Sequence, residues 1–101
     1  MIIYNVTINI EEQSHSEWLE WLQQKHIPDV MATGFFNSFK LLKLLSTQDD
    51  ESGFTYAIQY SCTDMDTYIR YQNESAPALQ SDSLKMFGGK FVSFRTLLEE
   101  I

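Results

Sequence analysis

Cysteine is nearly missing from this chain of 101 residues, and the single one, Cys62, rules out an intrachain disulfide and any cysteine cluster for zinc. Its expected role is that of a small apolar residue at the end of a strand. Basic residues are also scarce. Seven Lys and Arg face fourteen Asp and Glu, a net charge of −7, with no Lys/Arg cluster that would attract phosphates or an anionic membrane. Nucleic acid and membrane are therefore not expected as partners. No apolar run approaches the length of a membrane span, and Met-Ile-Ile-Tyr-Asn-Val-Thr at the start has no basic segment of the kind that opens a signal peptide. A soluble, cytoplasmic protein is the expectation. One domain of this length buries roughly 60 to 70% of the surface of its unfolded chain and needs no metal or disulfide to hold it.

Catalytic signatures are missing as well. The two histidines, His15 and His26, belong to no His-x-x-His or Glu-x-x-His pair, so no metal is expected. No glycine-rich phosphate loop and no nucleophile elbow occurs, so no cofactor is expected and covalent catalysis has no support. Gly88-Gly89 reads as a helix stop.

What the sequence does have is periodicity. Residues 2–10 alternate, with Ile2, Tyr4, Val6, Ile8 and Ile10 on one face and Ile3, Asn5, Thr7 and Asn9 on the other, which predicts a strand with one apolar face. Ser14 and Glu17 have capping-box spacing. Trp18, Leu19, Trp21, Leu22, His26 and Val30 then recur at helical intervals. Pro28 is expected to end or kink this helix near Lys25 to Ile27, with a short restart closed at Gly34. Trp18 and Trp21, three apart, are expected to divide between core and a more exposed position.

Phe35 to Leu45 reads as a second strand with apolar residues on both parities, and Thr47 to Gly53 as an exposed acidic hairpin loop. A third strand is predicted from Phe54 to about Ser61. Thr63 and Asp66 mark a second helix start, with a stripe of Met65, Tyr68, Ile69 and Gln72. Pro77 should break that helix, and a further helical piece carries Leu79, Ser83, Met86 and Phe87. Lys90 to about Leu98 reads as the last strand.

The order strand, helix, strand, strand, helix, strand predicts an α+β ferredoxin-like sandwich, a four-stranded antiparallel sheet with its helices on one face. Large apolar residues on both parities of the second and fourth strands then predict that a second copy covers the other face, giving a homodimer.

The stretches Tyr4-Asn-Val-Thr-Ile-Asn-Ile10, Glu17-Trp-Leu-Glu-Trp-Leu22, His26-Ile-Pro-Asp-Val-Met-Ala-Thr-Gly34, Thr55-Tyr-Ala-Ile-Gln-Tyr60 and Phe87-Gly-Gly-Lys-Phe-Val-Ser-Phe-Arg-Thr-Leu-Leu-Glu99 resemble a family of short bacterial proteins classed as a domain of unknown function. That family resembles the dimeric α/β-barrel superfamily, which includes cofactor-independent monooxygenases and isomerases, haem proteins and ligand-sensing domains. The resemblance implies a homodimer with a cleft between sheet and helices. It implies no one chemistry, because function resides in the site and not in the fold.

His26 is the main chemical candidate. On the core face of its helix it is a packing residue; turned to a cleft, its near-neutral pKa suits proton transfer. Asp29 is either its orienting carboxylate or simply an acidic residue in the first turn of the restarted helix. Asn5, Thr7, Gln59 and Arg95 are polar groups of the kind that orient a small ligand on a sheet, and they are equally suited to hydrogen bonding across a dimer seam. Two readings follow: a homodimer that binds a small molecule or a protein partner, or a cofactor-independent monooxygenase or isomerase acting on a small organic molecule.

Overall fold

The alternation of residues 2–10 becomes strand β1, Ile2–Ile10, whose even-numbered side chains are all buried and whose odd-numbered ones are half-buried. The computed structural model describes residues 1–46 and 52–101. Along the chain follow helix α1 (His15–Trp21), a π-helical turn (Leu22–His26), α2 (Ile27–Ala32), β2 (Ser38–Lys43), β3 (Phe54–Cys62), α3 (Met65–Glu74), α4 (Ala76–Phe87) and β4 (Phe91–Glu99). The strands form one sheet in the order β2-β3-β1-β4, with every neighbouring pair antiparallel. This is the ferredoxin-like arrangement.

Register fixes the two faces. Val6 lies opposite both Ile58 of β3 and Arg95 of β4, and Leu41 of β2 lies opposite Ile58. One face therefore carries Tyr4, Val6, Ile8, Tyr56, Ile58 and Tyr60, and Trp18, Leu22, Ile27, Val30, Tyr71 and Phe87 from the helices join them in the core. Asn5, Thr7, Gln59, Leu42, Val92, Phe94 and Leu98 fall on the opposite parity, facing away from that core.

Several boundaries differ from the sequence reading. No capping box forms at Ser14, which is already helical; its hydroxyl donates to the Glu11 carboxylate at 2.7 Å, and a 3-10 turn over Glu12–Ser14 begins the helix earlier. The cap of α3 is Asp64, not Thr63, because the Asp64 carboxylate accepts both the backbone N–H and the hydroxyl of Thr67, at 2.9 and 2.8 Å. Its inward side chains are Tyr68, Tyr71 and Gln72, while Met65 and Ile69 are exposed. Strand β2 is shorter than predicted: Phe35 and Phe36 precede it, and Phe36 is a core residue packed against Tyr60 and Tyr71. The predicted acidic loop from Thr47 to Glu51 lies outside the described residues.

Pro28 neither ends nor breaks the first helix. The backbone widens instead into a π turn, in which Ile27 donates its N–H to Leu22, and Pro28 then sits in the first turn of α2, where its missing N–H leaves fewest bonds unmade. Pro77 is treated differently. Ser75 leaves helical geometry at φ −125°, and α4 starts afresh with Pro77 in its first turn.

Candidate functional site

Three inward rows of the sheet and the helices above them leave a cavity of about 190 Å³. Its floor is made by Tyr4 and Val6 of β1 with Ser93 and Arg95 of β4, and its roof by Trp21, His26, Leu79 and Ser83. The walls are mostly apolar. That composition follows from the strand pattern, since the row of β1 is Ile and Val except for Tyr4, whereas the edge strand β4 brings Ser93 and Arg95 into the same layer.

Arg95, an exposed residue of β4, supplies the cation that borders this cavity. Its Nε donates to the Tyr4 hydroxyl at 2.9 Å, and no carboxylate lies within ion-pair distance of it among the described residues. Tyr4 is itself embedded in aromatic rings, with Phe36 stacked at 6.0 Å and Tyr68 at 5.3 Å between centroids. The phenol that orients the guanidinium is thus held in place by packing. Burial pushes the hydroxyls of Tyr60 and Tyr71 above the ordinary phenol range, so both stay protonated.

His26 stacks on Trp21 at 4.9 Å and is half-buried. Burial lowers its pKa below the usual imidazole value, against the pull of Asp29 and Asp82 and with help from Arg95 and Lys25, so the ring is neutral near pH 7. Among the described residues nothing hydrogen-bonds the ring, yet it is not an orphaned buried group: its nitrogens retain access to the cavity or solvent. A neutral imidazole in that position can accept one hydrogen bond and donate another.

The remaining sequence candidates do not join His26. Asp29 pairs with Lys25 at 2.5 Å, an i,i+4 contact on the helix surface, and does not hold the imidazole. Asn5, Thr7 and Gln59 lie on the other side of the sheet from His26 and Arg95. Asn5 donates to Thr7 at 3.0 Å, and Asn9 donates to Thr55 at 3.0 Å, so this polar band is knitted locally. The open face holds a wider hollow of about 480 Å³ bounded by Thr7, Asn9, Val92 and Phe94. The ligand set read from the sequence is therefore split by the sheet, with Arg95 alone on the side of His26.

The other histidine does not line this cavity. His15 shares a 2.6 Å hydrogen bond with the Tyr56 hydroxyl and stacks on Phe54. No group of three His, Cys, Asp or Glu among the described residues is placed to hold a metal. Cys62 is buried at the end of β3, its thiol donating to the Asp64 carbonyl at 3.5 Å, and burial pushes its pKa up. Among the described residues no helix is long and apolar enough to cross a membrane.

Sequence reasoning missed Tyr4 and Trp21 as parts of the site. For Tyr4 a signal existed: it is the one hydroxyl-bearing residue in an inward row otherwise made of Ile and Val.

The whole chain, residues 1–101, belongs to the family described as a domain of unknown function, DUF4286. No curated protein matches it in sequence. Among solved structures it is similar to an ethyl tert-butyl ether d (EthD) family protein from Bacillus halodurans, with a TM-score of 0.74 at 15% identity over 100% of both chains. It is also similar to an uncharacterized NIPSNAP domain protein from Burkholderia xenovorans, with a TM-score of 0.64 at 16% identity over 100% of this chain and 95% of the other. A third similar structure is SnoaB, a cofactor-independent oxygenase from Streptomyces nogalater, with a TM-score of 0.60 at 14% identity over 98% and 92% of the two chains. At these identities the likeness establishes the fold alone, the ferredoxin-like sandwich.

Proposed function

We propose that this protein is a homodimer of one-domain subunits, each of which binds a small, largely apolar organic molecule in the cavity between its helices and its sheet. The observation that carries this reading is the convergence of His26 and Arg95 on one apolar cavity, the first without a hydrogen-bond partner and the second without a carboxylate. Pockets for small molecules have this composition, an apolar wall with few polar groups that set orientation. A cavity of about 190 Å³ suits a molecule of about one ring, since a cavity of roughly 150 Å³ accommodates benzene.

The dimer is proposed on the exposed apolar residues of the open face, Leu42, Leu44, Val92, Phe94 and Leu98, which flank the polar band of Asn5, Thr7 and Gln59. A second copy laid on this face covers the apolar margins and leaves the amides and hydroxyls to hydrogen-bond across the seam. A cytoplasmic setting suits a chain whose lone thiol has no bridging partner.

The cavity reading is tested by titrating the protein with phenol and indole while following the Trp21 indole N–H and the His26 ring by NMR. Chemical-shift changes confined to residues that line the cavity, and their loss in Ser93→Phe, which fills it, are the expected result. Absence of any shift at millimolar probe, or shifts that persist in the filled variant, sinks the reading.

A second reading, cofactor-independent catalysis of the monooxygenase or isomerase type, draws on the neutral ring of His26 at the cavity wall, a group of the kind that takes a proton in general base catalysis. SnoaB, a cofactor-independent oxygenase, shares the fold. Under this reading His26→Gln keeps binding and loses turnover.

A further inference from the structure

We propose that the molecule bound in this cavity is a single-ring organic acid, whose carboxylate is clasped by the two terminal nitrogens of Arg95 while its ring lies against Trp21. This rests on the cavity reading above and narrows it to a chemical class.

The charge distribution is the first argument. Of the seven cations, Lys25 pairs with Asp29 and Arg70 with Glu74, and Lys43 lies over the ring of Phe54; Lys40, Lys85 and Lys90 have no ion pair among the described residues, but none of these six lines the cavity, so its place on the cavity wall is what sets Arg95 apart. Arg95 has no carboxylate partner among the described residues although it opens onto an apolar cavity. A guanidinium placed so is a standing attraction for an anion.

Geometry is the second. The hydrogen bond from Nε to Tyr4 engages one N–H of the guanidinium and restrains its orientation. The two terminal nitrogens are left as the free end of the fork, which matches the two oxygens of a carboxylate. Tyr4 is pinned in turn by Phe36 and Tyr68, so the fork is oriented before a ligand arrives.

The cavity supplies the third. His26 adds hydrogen-bonding capacity and no second charge, because burial keeps it neutral. Asp82 also acts on His26, but it does not line the cavity and forms no ion pair with Arg95. One solvent-exposed cation bordering an apolar space of this size favours a monoanion over a dianion, and a ring over a chain of comparable length that must be ordered on binding.

The test compares benzoate, benzamide and benzylamine, which share size and shape but differ in charge, by NMR titration of the full chain at pH 7. Benzoate is expected to bind tighter than benzamide by about tenfold or more, the usual advantage of a charge-assisted hydrogen bond, and benzylamine weakest. Arg95→Gln should erase the preference for benzoate while benzamide still binds, and Tyr4→Phe should weaken benzoate alone by releasing the guanidinium. Equal binding of benzoate and benzamide, or a preference that survives Arg95→Gln, overturns the organic-acid assignment and leaves the cavity reading standing. Failure of all three probes to bind overturns both.

Discussion

Phe94 gives the sharpest handle on the proposed dimer. It lies on the open face of the edge strand β4, opposite Thr7 of β1, and is 63% exposed. An aromatic side chain buries about 150–250 Å² when fully covered, so roughly 100–150 Å² of Phe94 remains for a partner to cover. At about 25 cal/mol per Å² this is roughly 3 kcal/mol per protomer, and the two-fold repeats it. Association costs reduce the yield, but even a third of the two-fold total, about 2 kcal/mol, raises Kd about thirtyfold. Phe94→Asp removes that contact and sets a carboxylate in its place at each repeat. Sedimentation equilibrium at micromolar protein should return twice 11.8 kDa for the wild type and a mass falling toward 11.8 kDa for the variant. Far-UV circular dichroism should stay the same, because Phe94 makes no core contact. A wild type that sediments as a monomer, or a Phe94→Asp protein that dimerises as tightly as its parent, refutes the facing-sheet arrangement.

His26 makes stability depend on pH in a defined direction. Its folded pKa lies below the unfolded value near 6.5, so the unfolded chain binds the extra proton first and stability falls as pH drops from about 6.5 toward the folded pKa. One such group contributes a slope of at most about 1.4 kcal/mol per pH unit. Urea denaturation between pH 7.5 and 5.5 should show a shallower dependence in His26→Gln, and parallel curves for the two proteins contradict the assignment. The glycines offer a contrast between strain with and without collision. Gly34 has φ +82° and open space where a side chain would go, whereas at Gly53, φ +76°, a Cβ would stand 2.4 Å from the carbonyl oxygen of Ile10. Gly34→Ala should therefore cost about 1–2 kcal/mol, the left-handed penalty alone, and Gly53→Ala distinctly more. In thermal melts each kcal/mol corresponds to about 4–8 °C for a domain of this size, and equal shifts in the two variants would count against the close approach.

Much of the fold could be read from the sequence because its decisive signals are local. The strict alternation of residues 2–10 needs no partner strand to announce itself, and Pro77 and Gly34 mark boundaries by stereochemistry alone. The site was less legible because it depends on pairings between distant segments. The parity of Asn5 and Thr7 in β1 and of Arg95 in β4 was plain, but only the register Val6 to Arg95 and Thr7 to Phe94 shows that the amides and the guanidinium stand on opposite faces. The pairing of Asp29 with Lys25 was within reach, since acid and base lie four apart on one helix. Spacing alone does not rank that partner against His26; the surface direction of both side chains does.

The π turn had a sequence signature of its own, and it explains where His26 goes. Leu22 and Ile27 are both buried, yet in a regular α-helix, at about 100° per residue, five steps separate them by about 140° and only one can face the sheet. A run with Trp18 and Leu22 followed by Ile27 and Val30 therefore shifts its apolar stripe by one residue, and the backbone meets this by widening over Leu22–His26. Reading His26 as the continuation of Trp18 and Leu22 placed it on the core face, a position that Ile27 takes instead. The imidazole is left at the flank, over Trp21 and against the cavity. The same widening carries Pro28 in without a break, because its absent N–H falls where the regular bonding pattern has already been interrupted. Core packing, tolerance of Pro28 and exposure of His26 to the cavity thus share one cause, the single extra residue in this turn.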